Sequence, residues 1–293
     1  MSDGCPSFFS GFAAEVCILV RHYYLKCEEM IQIPLFQVDA FTDKPFKGNP
    51  AAVCLLRDPL DAETMQAIAA ENNLAETAFV LSRDDGFGLR WFTPTVEIAL
   101  CGHATLATAH VLWQEGWLPK GKVARFYTMS GVLTAAQEGD WICLDFPASE
   151  NVPAELPSAL TSALGVNSLN VVFSKDRYLV ELARPEEVYE MAPDFSVLRK
   201  YDMVVVTSRD AEASPYDFVS RTFASAHGID EDPVTGSSHC SLVPYYSEKL
   251  GKTEMVAYQA SKRGGELRLR YQDGRVLISG QALTVISGNM ILP

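Results

Sequence analysis

The sequence predicts an α+β protein of two similar domains, each wrapping a sheet round a helix, with a site in the crevice between them. Two short glycine-centred stretches are the first observation behind this prediction. Cys101-Gly102-His103-Ala104-Thr105 and Asp232-Pro233-Val234-Thr235-Gly236-Ser237-Ser238 occupy matching places in the two halves, each after a strand-like run and before a helix-like one. The second observation is that strands, glycine loop, one helix and strands follow one another in the same order twice. The third is the proline-rich stretch from Pro147 to Pro157, a natural boundary between the halves.

Residues 1–29 differ from the rest: they hold three of the seven cysteines and no strand alternation, and Met30 stands directly before a strong strand-like run. They are expected to be an N-terminal extension, or to lie upstream of a true start at Met30; an amphipathic helix from Phe12 to Met30 is the structural alternative. A chain begun at Met30 should therefore melt close to the full-length one. A large loss of melting temperature would show that the segment packs into the domain.

From Ile31 to Val38 the pattern is a strand. Asp61 followed by Thr64, Met65, Ile68 and Ala69 gives an N-cap and an i, i+3, i+4 stripe, so 61–72 reads as a helix. Thr77 to Leu81 and Phe87 to Phe92 read as strands joined at Asp84-Asp85-Gly86. A helix from about Thr105 to Glu115 carries Leu106, Ala109 and Trp113 on one face and stops at Gly116. Lys122 to Met129, Val132 to Ala136 and Trp141 to Phe146 complete a first antiparallel set. In the second half, Pro157 to Leu164 is a helix closed by Gly165. Strands follow at Tyr178 to Leu182, Met203 to Thr207 and Tyr216 to Phe223, then the Gly236 loop and a helix ending at Gly251. Pro244 lies inside that helix and should bend it or delay its start. A final hairpin, Leu267 to Tyr271 with Arg275 to Ser279, turns at Asp273-Gly274. The expected division is 1–29, 30–148 and 149–293, with the terminal strand free to cross to the first domain.

Composition narrows the function. A chain of 293 residues can bury two cores. Its formal net charge of −13 would repel a nucleic-acid backbone or an anionic membrane, leaving a small anion held by a local field as the expected ligand. The seven cysteines are odd in number and scattered without a C-x-x-C pair, which points to reduced thiols in a cytoplasm and away from structural zinc. No run reaches the length of a membrane span.

Both glycine stretches would open a helix, aiming free backbone N–H groups and a positive helix end at one point. Gly102, Gly236 and Ser237 would supply such groups to a substrate carboxylate. Glu76 precedes the strand Thr77 to Leu81, where a carboxylate can project into a cleft, be partly desolvated and both take and return a proton; a surface glutamate before a strand is the plain alternative. His103 at a helix start could hydrogen-bond a substrate, with the helix end favouring its neutral form, or be structural. Asp232 could tune the acid/base group or simply cap a turn. His239 is near enough to the second loop to line a pocket, whereas His22, His110 and His227 read as structural or surface residues.

Six collinear motifs carry a resemblance beyond these local readings. They are Val38-Asp39-Ala40-Phe41-Thr42, Pro45 to Val53 (PFKGNPAAV), Asn73 to Phe79 (NLAETAF), Arg90 to Pro94 (RWFTP), Cys101 to Thr105 (CGHAT) and Glu231 to Ser237 (EDPVTGS). In this order, and from about Ile31 to the C-terminus, the chain resembles the PhzF-like phenazine-biosynthesis isomerase family. The resemblance implies a diaminopimelate epimerase-like fold of two pseudo-symmetric domains, each a curved antiparallel sheet around a central helix. It implies Glu76 as the acid/base catalyst, substrate-binding roles for Gly102, His103, Asp232, Gly236 and Ser237, no metal or organic cofactor, and a homodimer. The best-known substrate of that family is a dihydro-hydroxyanthranilate, which nothing in this sequence assigns to this chain.

Cys101 separates neighbouring chemistries. Racemases and epimerases of this superfamily use a thiol at each glycine loop, but here the second loop has Thr235 in the corresponding place, and a hydroxyl is far too weakly acidic to replace a thiolate. The expected activity is thus a cofactor-independent isomerisation of a small carboxylate-bearing substrate. A two-base amino-acid racemase or epimerase, and a non-catalytic binding protein that keeps the fold, are the alternatives.

Overall fold

A computed structural model describes residues 30–292, so the extension or helix expected before Met30 lies outside the described residues. The first half runs β1 (Ile31–Ala40), β2 (Asn49–Leu56), α1 (Ala62–Asn72), β3 (Glu76–Arg83), β4 (Gly86–Phe92), β5 (Glu97–Ile98), α2 (Gly102–Gln114), β6 (Ala124–Thr128), β7 (Gly131–Glu138) and β8 (Trp141–Pro147). The second continues with β9 (Val152–Pro153), α3 (Ser158–Leu164), β10 (Ser168–Ser174), β11 (Arg177–Leu182), α4 (Pro185–Tyr189), α5 (Phe195–Leu198), β12 (Met203–Arg209) and β13 (Phe218–Ala224). After a 3-10 turn (Ser225–His227) come β14 (Ile229–Asp232), α6 (Gly236–Leu250), β15 (Glu254–Gln259), β16 (Gly265–Gln272), β17 (Arg275–Gly280) and β18 (Ala282–Leu292). The protein is a sheet-dominated α+β fold, as its sequence predicts.

The 18 described strands form one hydrogen-bonded sheet. The two halves are joined where β8 pairs with β17 and where β18 pairs with β1, from Ile31 against Leu292 to Ala40 against Ala282. The sheet is mixed, which corrects the antiparallel expectation. β2/β3, β4/β6, β11/β12 and β13/β15 are parallel. Each of these pairs brackets helix in the chain, because a parallel neighbour can be reached only by a crossover.

Local sequence explains the helices. Asp61 caps α1, its carboxylate accepting from the Thr64 N–H at 2.8 Å, and Asn73 closes it in the left-handed region at φ 49°. α2 begins at Gly102 instead of Thr105, and it is buried nearly all round, from His103 to Ala109 and again at Val111, Leu112 and Trp113, where a single stripe was expected. α6 is continuous from Gly236 to Leu250 with Pro244 inside it, which corrects the expected late start. Pro244 cannot donate to the carbonyl of Cys240, and the Ser149 N–H takes its place at 2.9 Å.

Three apolar clusters sit beneath these elements. α2 and α6 share the largest, with Val38, Phe41, Trp91, Phe126 and Tyr246. Leu160, Val188 and Leu198 of α3, α4 and α5 pack on Val180, Val206 and Phe223. Met65 and Ile68 of α1 pack on Phe79 and Phe92. Among the described residues no helix is long and apolar enough to cross a membrane.

Candidate active site

The two helices of the largest core meet at their N-termini. A Cβ placed on Gly102 would stand 3.8 Å from the Gly236 Cα, and one on Gly236 would stand 3.9 Å from the Gly102 Cα. Their N-cap residues, Cys101 and Thr235, are both extended and neither side chain caps its helix. The N–H groups of the first turns are therefore uncapped, and two positive helix ends converge on one gap.

Strands deliver the side chains. In the parallel β2/β3 pair Ala51 lies opposite Glu76, so Glu76 enters at the start of β3 while Asn49 enters at the start of β2. Gly48, immediately before Asn49, has φ 63°, and a Cβ there would run into the Ala40 carbonyl oxygen. Arg263, from the loop between β15 and β16, clamps this bend: it donates to the carbonyls of Gly48 and Lys47, each at 2.8 Å, and pairs with buried Asp39 at 2.7 Å. The Asp39 motif residue is thus a support for the loop that presents Asn49.

Glu76, His103 and Asp232 come together as the sequence led one to expect. Glu76 Oε2 lies 3.2 Å from His103 Nε2, with side chains 14% and 6% exposed. Both atoms are buried and make no aligned hydrogen bond to protein. Burial opposes a charged His103, yet the adjoining Cys101 sulfur and Glu76 carboxylate outweigh it and raise its pKa well above the ordinary value. This direction runs against the neutral ring expected from the helix end, because a carboxylate in contact acts more strongly than a helix terminus. Burial also raises the Cys101 thiol, with the Glu76 charge adding to the effect.

Asn49 was not recognised as a site residue from sequence, and it is central. It is fully buried, and its Nδ2 donates to Asp232 Oδ1 at 2.8 Å and to the Val234 carbonyl at 2.9 Å. These two bonds use both amide hydrogens, although His103 Nδ1 also lies 3.2 Å away. That leaves His103 Nδ1 to the Cys101 sulfur at 3.5 Å. Asp232 Oδ2 accepts from Thr235 Oγ1 at 2.6 Å, and Gln259 ties the same loop by donating to the Asp232 carbonyl at 2.8 Å. Burial pushes the Asp232 carboxyl up to about 6, against the opposing pull of His103.

Ser237 is held differently: Arg177 Nη1 donates to Ser237 Oγ at 3.1 Å and to Ser238 Oγ at 2.9 Å, which sets a buried cation against the start of α6. His239 is a core residue. Its Nδ1–H donates to the Thr235 carbonyl at 2.8 Å, its ring stacks on Phe218, and burial lowers its pKa to about 4. His110 bonds Thr284 Oγ1, and His227 pairs with Asp202 on the surface.

Glu76, Cys101 and His103 also present donor atoms within 4.8 Å of one another. Cys101 lies nearest the Nδ1 edge of the ring and Glu76 nearest the Nε2 edge. Beside the gap is a cavity of 480 Å³ lined by Leu100, Phe146, Phe173, Lys175, Arg177 and Ser237 among others.

The gap itself yields a prediction. A Cβ on Gly102 would meet Gly236 Cα and Phe146 Cζ at ordinary contact distance, so Gly102→Ala should leave the melting temperature unchanged. The same methyl would occupy the space between the helix ends, and the variant should lose most of its affinity for small carboxylates, read by calorimetry.

Known proteins are similar to this chain over most of its length. Residues 38–288 match the family model PhzC-PhzF, described as phenazine biosynthesis-like protein. A protein of Halalkalibacterium halodurans described as an uncharacterized isomerase is 47% identical over 90% of this chain and 100% of its own length. The human phenazine biosynthesis-like domain-containing protein is 39% identical over 89% of this chain and 99% of its own. The crystal structure of a PhzF-family phenazine biosynthesis protein from Enterococcus faecalis superposes with a TM-score of 0.86 at 39% identity, covering 89% of this chain and all of that one. The chain therefore belongs to the PhzC-PhzF family of phenazine biosynthesis-like proteins and is an isomerase.

Proposed function

We propose that this isomerase moves a proton within a small carboxylate-bearing substrate, using Glu76 as a single acid/base. Glu76 takes a proton from one carbon, holds it as the carboxylic acid, and returns it to another. The imidazolium of His103 faces the carboxylate and offsets negative charge that develops as the carbon acid ionises. The N–H groups at Gly102 and at Gly236 and Ser237 grip the substrate carboxylate from both sides. Asp232 receives an amine or hydroxyl of the substrate and, through Asn49, ties the start of β2 to the second loop. No step calls on a metal or organic cofactor.

The observation that carries this reading is the pair of buried, unpartnered atoms, Glu76 Oε2 and His103 Nε2, set at the junction of two uncapped helix ends. The parallel crossovers, which occur in the same order in each half, support two matching units with the site where they meet. The ligand is a small anion, and the assembly a homodimer, on the resemblance of the chain to its family.

A two-thiol racemase fits less well. Thr235 holds the N-cap position that Cys101 holds on the other helix. Cys240 is turned back on its own helix, its thiol on the Gly236 carbonyl, and burial pushes its pKa up to about 11. Cys101→Ser should accordingly keep most activity, since a hydroxyl can still accept from His103 Nδ1. Loss by several orders of magnitude with folding intact would restore the thiol mechanism.

The experiment is proton exchange. Small carboxylic acids with an acidic C–H should be incubated with the protein in deuterated water and followed by proton NMR. Exchange or isomerisation that persists in Cys101→Ser supports the single-carboxylate reading. Ligand binding with neither would favour a binding protein instead.

A further inference from the structure

We infer that the substrate is a two-ended acid, and that Arg177 and Lys175 hold its second carboxylate in the cavity beside α6. This rests on the reading above, in which the reacting end lies between the helix N-termini. The cavity of 480 Å³ adjoins that place directly. Phe146, one of its walls, is the side chain that a Cβ on Gly102 would touch at 3.8 Å, and Ser237, another, is the second residue of α6.

Arg177 is the unusual group here. It is only 4% exposed, yet its guanidinium is not used up. Nε donates to Asp176 at 2.6 Å and Nη1 to Ser237 and Ser238, while Nη2 makes no hydrogen bond among the described residues. The Nη2 edge is not one of the sealed, unpartnered polar atoms of the described residues, so it keeps access to solvent and is free to donate to a ligand carboxylate. Lys175 adds a second cation. It sits in the tight turn between β10 and β11 at φ 59°, a region that a lysine seldom occupies, and its side chain lines the same cavity.

The charge balance selects the anion. Asp176 pairs with Arg177 and Glu150 also lines the cavity, so two carboxylates already balance the two cations; a dianionic phosphate would be disfavoured, and a single carboxylate is the most that hydrogen bonds from Arg177 and Lys175 would hold. Leu100, Phe146 and Phe173 supply an apolar wall for the body that separates the two ends. In a chain with a net charge of −13, two cations facing one cavity are a local departure that has no role in the proton shuttle.

The test is calorimetry at low ionic strength with benzoate, benzene-1,3-dicarboxylate and benzene-1,4-dicarboxylate. At least one dicarboxylate should bind about tenfold or more tighter than benzoate, the size of one charge-assisted hydrogen bond. Lys175→Gln, an exposed change that the turn can absorb, should shrink that ratio by about threefold or more. Dicarboxylates no tighter than benzoate, or a ratio unmoved by Lys175→Gln, would overturn this inference and leave the proton-transfer reading standing. Failure of all three probes to bind would overturn the carboxylate grip itself, and the second-carboxylate site with it.

Discussion

Glu76→Gln should fold like the parent protein, bind small carboxylates nearly as well, and lose turnover by about 10²- to 10⁴-fold or more, since one group performs both proton transfers. The amide preserves shape and hydrogen-bonding capacity but cannot ionise. A second signal follows from the contact at 3.2 Å with His103. The Glu76 charge helps raise the His103 pKa, so in the variant the imidazole should titrate at lower pH, visible by NMR. The sign for stability follows from the same shift. A histidine whose folded pKa is raised contributes fully below its unfolded value of about 6.5, and that contribution disappears as pH rises through the folded value. The melting-temperature gap between parent and Glu76→Gln should therefore narrow on going from neutral to alkaline pH. Turnover within a few-fold of the parent on a confirmed substrate would falsify the assignment and leave His103 or Asp232 as the acid/base.

Asn49→Ala is expected to be the next most damaging change, although Asn49 touches no proton in flight. It would strip Asp232 Oδ1 and the Val234 carbonyl of their shared donor, at a cost of about 1–3 kcal/mol for the buried groups left unsatisfied. The pH dependence gives the sharper readout. Asp232 titrates near 6 in the fold, above its ordinary value of 3.8. The folded state thus holds this proton more tightly than the unfolded one, and its contribution to stability declines as pH rises from about 4 through 6. The ionised form is the one that can accept from Asn49 and Thr235 together, so activity should fall on the acid side of about 6. Removing Asn49 takes away a bond that favours the carboxylate, and the acid limb should move to higher pH. An unmoved limb in a folded Asn49→Ala protein would show that the Asn49–Asp232 bond does not serve the reaction.

Some of this architecture could be read from neighbouring residues, because the signals are local. Asp61 and the Asp273-Gly274 turn are recognisable within a few positions, and both form as expected: Asp61 caps α1, and Asp273 and Gly274 take φ 51° and 71°. The start of α2 was placed late because Cys101 is no cap former and periodicity alone begins inside the helix. Continuity of α6 through Pro244 depends on a hydrogen bond from Ser149, far away in sequence. The terminal strand is expected from the sequence without bounds, since the exposed and half-exposed residues of β18 do not alternate. At the site, Glu76, His103 and Asp232 were marked by their motifs. Asn49 and Arg177 were not given roles, because what defines them is partners on distant segments: Asp232 for one, Ser237 and Ser238 for the other.

The pairing of the first described strand with the last has a consequence for how the molecule is made. β1 is flanked by β2 on one side and β18 on the other, and its contact with Leu292 begins at Ile31. During synthesis β1 emerges before every other described strand, while the strand that covers its outer edge emerges after all of them. Contacts of such separation are slow to form, and the uncovered edge is open to mispairing in the meantime. Asn49 likewise waits for Asp232. A nascent chain that stops short of β14 therefore has no assembled site, and one that stops short of β18 leaves the edge of β1 uncovered.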